Sequence, residues 1–264
     1  MTATTPEGSF AALPGVRLFY RDTGGDGPPV VLLHANTGTS ACWPDQFAAF
    51  AAAGYRVIAF DRRGWGQSLA DPSTGSQPGS VAEDLAALVE HLRLPNFHLL
   101  GVAGGGFAAL DYASWRQDRL RSLVIAASTG SFAEPEMEQL SQNIAIPGFR
   151  ELPETFREIG PSFRAEHPER VAAWHAAEQV ARQPGATPQS PRTPNTFAKV
   201  SVIRIPVLAI SASADLLAPP ALMRRWVRHL PQAEWLTIAD AGHSVPMEQP
   251  DLFNEAVLAF LRRH

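Results

Sequence analysis

Short, mostly apolar runs alternate along this chain with stretches whose apolar residues recur every three or four positions. Val30 to Leu33, Val57 to Phe60, Phe97 to Val102, Leu123 to Ala126, Val207 to Ile210 and Trp235 to Ile238 form the runs. Such runs predict strands covered on both faces. Between them, Gln46 to Ala53, Val81 to Leu92, Gly105 to Trp115, Pro220 to Leu230 and Leu252 to Arg263 carry helical spacing. The alternation predicts an α/β fold: a mostly parallel sheet with helices on both faces. Val16 to Arg21, near the Gly24-Gly-Asp-Gly27 turn, reads as part of an antiparallel edge.

The alternation stops between Ser131 and Ala198. Prolines at 135, 147, 153, 161, 168, 184, 188, 191 and 194 break this stretch into short helices. The clearest helix carries Val171, Trp174, His175 and Glu178 behind Pro168. A helical insertion in an α/β sheet usually covers the carboxyl ends of the strands, where ligands bind. The expected organisation is an α/β core over 1–130 and 199–264 and a helical cap over 131–198.

With 264 residues, 45% of them hydrophobic, the chain can bury a single-domain core. A net charge of −4 argues against a nucleic-acid surface. Cys42 is the only cysteine, which excludes an internal disulfide and fits a reducing compartment. The start, Met1 to Gly8, has neither the basic nor the apolar region of a signal peptide. No run reaches the roughly 18 apolar residues of a membrane span. A soluble cytoplasmic protein with a small-molecule substrate, and no membrane or nucleic-acid partner, is expected. Nothing indicates an oligomer.

Three segments carry candidate chemistry. Gly101-Val-Ala-Gly-Gly105 joins a strand to a helix in the form G-x-A-x-G. A nucleophile elbow is G-x-S-x-G, a tight turn that lifts its central side chain above the sheet and points helix N–H groups at a developing anion. Here the glycines are present and the hydroxyl is absent; a Gly-rich joint without chemistry reads equally well from this segment alone. Asp215 and His243 each follow a predicted strand, on the edge where open α/β sheets bind ligands. An acid so placed can orient a histidine, fix its tautomer and stabilise its charged form. His34-Ala-Asn-Thr-Gly38 follows the first parallel strand, and its loop offers backbone N–H groups opposite the elbow, Asn36 with Gly104 as partner and Thr37 beside them.

The remaining candidates read as structural. Asp61-Arg-Arg-Gly-Trp-Gly-Gln-Ser68 reads as a fixed loop near the site. Cys42 reads as a small buried thiol, and Ser128 and Thr129 lack the elbow that exposes a nucleophile. Trp174, His175, Phe163 and His167 either line a pocket or pack the insertion. Nothing resembles a metal or dinucleotide site, and no cofactor is expected.

Together these motifs resemble the α/β-hydrolase superfamily over almost the whole chain. The resemblance rests on the 34–38 loop, the 61–68 stretch, the 101–105 elbow, Ala214-Asp215 and Ala241-Gly-His243. It is similar to the capped branch of C–C bond hydrolases, esterases, lactonases and haloperoxidase-like proteins. The resemblance implies a catalytic triad of residue 103, Asp215 as acid and His243 as base, with an oxyanion hole from the N–H groups of Asn36 and Gly104. Two departures stand out: the family's His-Gly is His34-Ala35, and its Ser, Asp or Cys nucleophile is Ala103. Three functions follow: a serine-type hydrolase with alanine in place of serine, an enzyme using the His243–Asp215 pair directly as base, or a ligand receptor. A mainly apolar pocket is expected, lined from the cap by Phe132, Phe149, Phe163 and Trp174.

Overall fold

The computed structural model describes residues 5–144 and 146–264. For residues 1–4, the reading of the start as no signal peptide lies outside the described residues. Nine strands form one sheet: β1 (Gly8–Leu13), β2 (Val16–Asp22), β3 (Pro29–Leu33), β4 (Arg56–Phe60), β5 (Leu69–Ala70), β6 (Phe97–Val102), β7 (Leu120–Ala126), β8 (Val207–Ala212) and β9 (Ala233–Ile238). The order is β1-β2-β4-β3-β6-β7-β8-β9, with β5 on β2. From β4 to β9 every neighbouring pair is parallel, while β2 pairs antiparallel with β1, β4 and β5. This is the expected α/β sheet.

The antiparallel end differs in detail. The edge is β1, which the apolar pattern did not single out because only Ala11 and Leu13 in it are buried. Val16 to Arg21 lies one strand in. Its hairpin turns at Pro14-Gly15, where Gly15 takes a left-handed φ of 77°, and the Gly24–Gly27 turn leads onward to β3.

The helices are α1 (Pro44–Ala52), α2 (Val81–His91), α3 (Gly104–Arg116), α4 (Pro135–Ile144), α5 (Glu154–Glu158), α6 (Pro161–Glu166), α7 (Pro168–Ala181), α8 (Phe197–Val200), α9 (Pro220–Val227), α10 (Val245–Glu248) and α11 (Pro250–Leu261). Side-chain alternation explains why the strands are apolar throughout. Val31 and Leu33 of β3 pack with Leu85, Tyr112 and Trp226 from α2, α3 and α9. Val30 and Leu32 pack on the opposite face with Phe50 and Phe260 from α1 and α11. Each such side chain contributes about 1.5–3 kcal/mol on burial, so both sheet faces are firmly covered.

Between β7 and β8 the chain forms α4 to α8. The prolines here start helices as well as ending them: Pro135, Pro161 and Pro168 each sit at a first position, where the missing N–H costs nothing. This segment is tied to the core at the 61–68 stretch, where Gly66 N–H donates to Ala181 O at 2.8 Å.

Candidate active site

The elbow is a strained turn. Ala103 leaves β6 with φ 50° and ψ −114°, a backbone conformation that non-glycine residues avoid at a cost of roughly 1–3 kcal/mol. Surrounding bonds enforce it: Ala103 N–H donates to Ala126 O at 3.0 Å, and Ala103 O accepts from Gly106 N–H at 3.0 Å and Ser128 Oγ at 2.8 Å. Ser128 is fully buried in this structural role. Gly105 lets α3 start against β3, because a Cβ there would stand 2.2 Å from Leu33 O. Gly105→Ala is therefore expected to lower stability by roughly 1–3 kcal/mol through overpacking, read as a drop in Tm; an unchanged Tm would contradict this packing.

The structure brings Asp215 and His243 together. His243 Nδ1 lies 2.8 Å from Asp215 Oδ2, with both side chains nearly buried. The other carboxylate oxygen, Oδ1, accepts from Leu217 N–H and Ala218 N–H, each at 2.8 Å. Asp215 is thus fixed on the loop after β8, and Nδ1 of His243 is committed to it, leaving Nε2 for chemistry. Burial disfavours the imidazolium, but the Asp215 carboxylate, with those of Glu158 and Glu248, outweighs it and raises the His243 pKa to about 9.

Two residues that hold this histidine were not legible as site residues. Glu248, on α10, accepts from Gly160 N–H and Gly242 N–H at 2.8 Å and from Ser244 N–H at 3.1 Å. Glu158 O, at the end of α5, accepts from His243 N–H at 2.7 Å and Ser244 N–H at 3.2 Å. Burial pushes both carboxyl groups above the usual range. The only sequence signal was the position of Glu248, five residues after His243.

Across the elbow, the 34–38 loop is fixed by its own histidine. His34 Nδ1–H donates to Ala35 O at 2.7 Å, and Nε2 accepts from Arg62 N–H at 3.2 Å. Complete burial holds the His34 pKa well below its ordinary value, so the ring is neutral, as this pattern requires. Trp65 Nε1–H donates to Asn36 O at 2.7 Å. A Cβ on Gly104 would stand 2.3 Å from Asn36 Oδ1, so the loop and the elbow meet here. Among the described residues, neither the Asn36 N–H nor the Gly104 N–H has a partner.

Two cavities flank this meeting point. One, of about 350 Å³, is lined by His243, Thr37, Trp174, Trp43, Val102 and Met247 among others, and is mainly apolar. The other, of about 200 Å³, is lined by Asn36, Gly104, Arg62, Trp65, Phe107 and Gln189 among others, and mixes polar and apolar walls in nearly equal parts. Two expectations need correcting. Cys42 is not a buried thiol: it opens into the larger cavity, although the protein around it desolvates the thiol and pushes its pKa up to about 12, so it is not an activated nucleophile. Of the four aromatic residues expected to line the pocket, only Trp174 lines either of these two; Phe132 stacks on Trp226 at 5.4 Å between centroids and lines a separate cavity with Glu134 and Met137. Arg62, in the 61–68 stretch read as a fixed loop near the site, lines the smaller cavity. Among the described residues no three His, Cys, Asp or Glu side chains are grouped to hold a metal ion. No helix among them is long and apolar enough to cross a membrane.

Known proteins fit this geometry. The alpha/beta hydrolase family model matches residues 30–256. A chain of Mycobacterium tuberculosis provisionally named non-heme bromoperoxidase BpoC is 30% identical over 259 residues, 93% of this chain and 97% of that protein. The 2-hydroxy-6-oxononadienedioate/2-hydroxy-6-oxononatrienedioate hydrolase of Burkholderia vietnamiensis is 28% identical over 94% of this chain and 92% of its own. A thermophilic esterase from Thermogutta terrifontis, solved with malate bound, superposes with a TM-score of 0.81 at 27% identity, covering 97% of this chain and 98% of its own. With a doubly covered parallel sheet, a strained strand–helix turn and a buried Asp–His pair at the strand ends, the chain belongs to the α/β-hydrolase family.

Proposed function

We propose that the protein is an acyl hydrolase of the serine type whose nucleophile position holds Ala103. It takes a small ester, lactone or cleavable ketone in the cavities beside the elbow, under the helical segment 131–198 acting as a cap. Asn36 and Gly104 N–H groups receive the carbonyl oxygen, and Asp215 orients His243 as general base. Thr37 and Trp174 line the apolar side of the pocket. The observation that carries this reading is the Asp215–His243 pair, buried and bonded at 2.8 Å on the same sheet edge as two unpartnered N–H groups. With alanine at 103 no acyl-enzyme forms, and His243 acts on water, a slower route. The test is ester hydrolysis by the chain and by its Ala103→Ser form.

The pH response follows from the charge around His243. A general base must be neutral, and below about pH 9 this imidazole is mostly protonated. In the Ala103→Ser form, kcat/KM is expected to climb roughly tenfold per pH unit from pH 6 to 8 and to level off near 9. NMR titration of the His243 ring should give the same midpoint, and Asp215→Asn should move that midpoint down. A midpoint at or below pH 7 would contradict the electrostatic account. Because the folded pKa lies above the ordinary 6.5, the stability this group contributes is complete below pH 6.5 and lost as pH rises through 9.

A further inference from the structure

Arg62 is a buried cation without a counter-charge. Its side chain is nearly inaccessible, with 6% exposure for the residue, and among the described residues no carboxylate pairs with it. Nη2 donates to Ala35 O and Asn36 Oδ1, both at 3.1 Å, and the buried Nε has no acceptor. The guanidinium carbon lies over Trp65, 4.5 Å from the ring centroid. Desolvation brings its pKa down to about 10, as expected for a cation short of a partner. Its neighbour provides the contrast: Arg63, equally buried, is fully answered by Asp84.

The one carboxylate on the wall of the cavity that Arg62 lines, among the described residues, is committed elsewhere. Asp111, the acidic residue on its wall, is bonded to Lys199 Nζ at 2.6 Å and to Arg192 N–H at 2.7 Å. Gln189 gives its amide N–H to Asp84 and leaves a buried Oε1 without a donor. The wall thus holds an unmatched donor in Arg62 and an unmatched acceptor in Gln189, of which only the cation calls for an anion, and Asn36 and Gly104 close the same cavity. A buried charge that the protein leaves unpaired is costly unless something else pairs it.

We propose that Arg62 is a carboxylate-binding residue, and that the compounds this site takes carry an anionic carboxylate a few atoms from the acyl carbonyl. The carbonyl oxygen sits on the Asn36 and Gly104 N–H groups, and the carboxylate reaches into the adjoining cavity toward the guanidinium of Arg62. A hydrogen bond between a guanidinium and a carboxylate carries charge on both sides, so it is stronger than one to a neutral ester. This deepens the acyl-site reading and rests on it only for the identity of the reacting group.

The test uses the chain as it is, with Ala103, so that turnover is slow compared with binding. Monomethyl succinate, an anion at pH 7.5, and dimethyl succinate, its neutral counterpart, are titrated into the protein by calorimetry. The monoanion is expected to bind about ten- to a hundredfold more tightly, the worth of a charge-assisted bond. Arg62→Met should abolish that preference, whatever it does to the diester affinity, and Arg62→Lys should retain part of it. Equal affinities in the parent chain, or no saturable binding of the monoanion, overturn the proposal. A preference that survives in Arg62→Met does the same. If Arg62→Met loses both ligands together with its thermal transition, Arg62→Lys and the parent's own two affinities decide. Selective binding in a chain whose Ala103→Ser form hydrolyses nothing would uphold Arg62 and defeat the acyl-hydrolase reading; the reverse pair of results would do the opposite.

Discussion

Ala103→Ser is expected to raise hydrolysis of a small chromogenic ester by about 10³-fold or more, since removing a triad member from a working serine enzyme costs that much or more. The position is already prepared. Ala103 holds the φ of 50° that an elbow requires, so the serine inherits a backbone whose strain is met by bonds from Ser128, Gly106 and Ala126. The change adds one oxygen. His243 keeps Nε2 free because Nδ1 is held by Asp215 at 2.8 Å. The N–H groups of Asn36 and Gly104 are unpartnered among the described residues and stand ready for the oxyanion. Adding His243→Ala to the serine form should return the rate to that of the alanine chain, because serine without its base is a poor nucleophile. Rates for Ala103→Ser within tenfold of the parent, with an unchanged circular dichroism spectrum, would sink the serine-type reading. High activity in the alanine chain, undiminished by the serine, would favour direct base catalysis by His243 and Asp215.

The largest effect on stability is expected at Asp84. Its carboxylate, 2% exposed, takes Nε–H of Arg63 at 2.9 Å and Nη2–H at 2.6 Å. Arg63 also donates to Pro14 O and Ser76 O, so one guanidinium ties the β1–β2 turn, the 75–79 loop and α2 together. Burial pushes the Asp84 pKa up, and Arg63 holds it back. Asp84→Ala strands a buried cation and should cost about 3–5 kcal/mol, measured by urea unfolding. Exchanging Arg63 and Asp84 together for Met and Leu should cost much less, because no charge is then left unpaired. A loss under about 1 kcal/mol for Asp84→Ala would show that the pair is not the tie described.

The parallel sheet was legible because β3, β4, β6, β7 and β8 are buried on both faces and hence apolar at nearly every position. β1, half exposed on the edge, left only Ala11 and Leu13 as a signal. Ala103, Asp215, His243, Asn36 and Gly104 could be singled out because each sits at a strand end in a short local motif. The groups that support them come from far along the chain. Glu248 meets Gly160 across 88 residues, and Arg62 meets Asn36 across 26, and neither contact has a sequence period. Arg62 and Arg63 are adjacent and of one residue type, yet one is paired and the other is not; only the fold separates them. The aromatic residues of the insertion misled for a related reason: Phe163 buries itself by packing on His167, which its residue type does not distinguish from lining a pocket.

The mounting of His243 also sets a rule for recombining this protein with its relatives. Glu158 and Gly160 lie between β7 and β8, and they supply one carbonyl and one N–H to the bonding pattern that holds the 240–248 turn. Residues 131–198 are therefore not an interchangeable module. A chimera that imports a foreign insertion onto this core would detach part of the histidine's seat. The exchange should leave the recipient's base misaligned unless the 240–248 turn travels with the insertion, as a second crossover from the same donor.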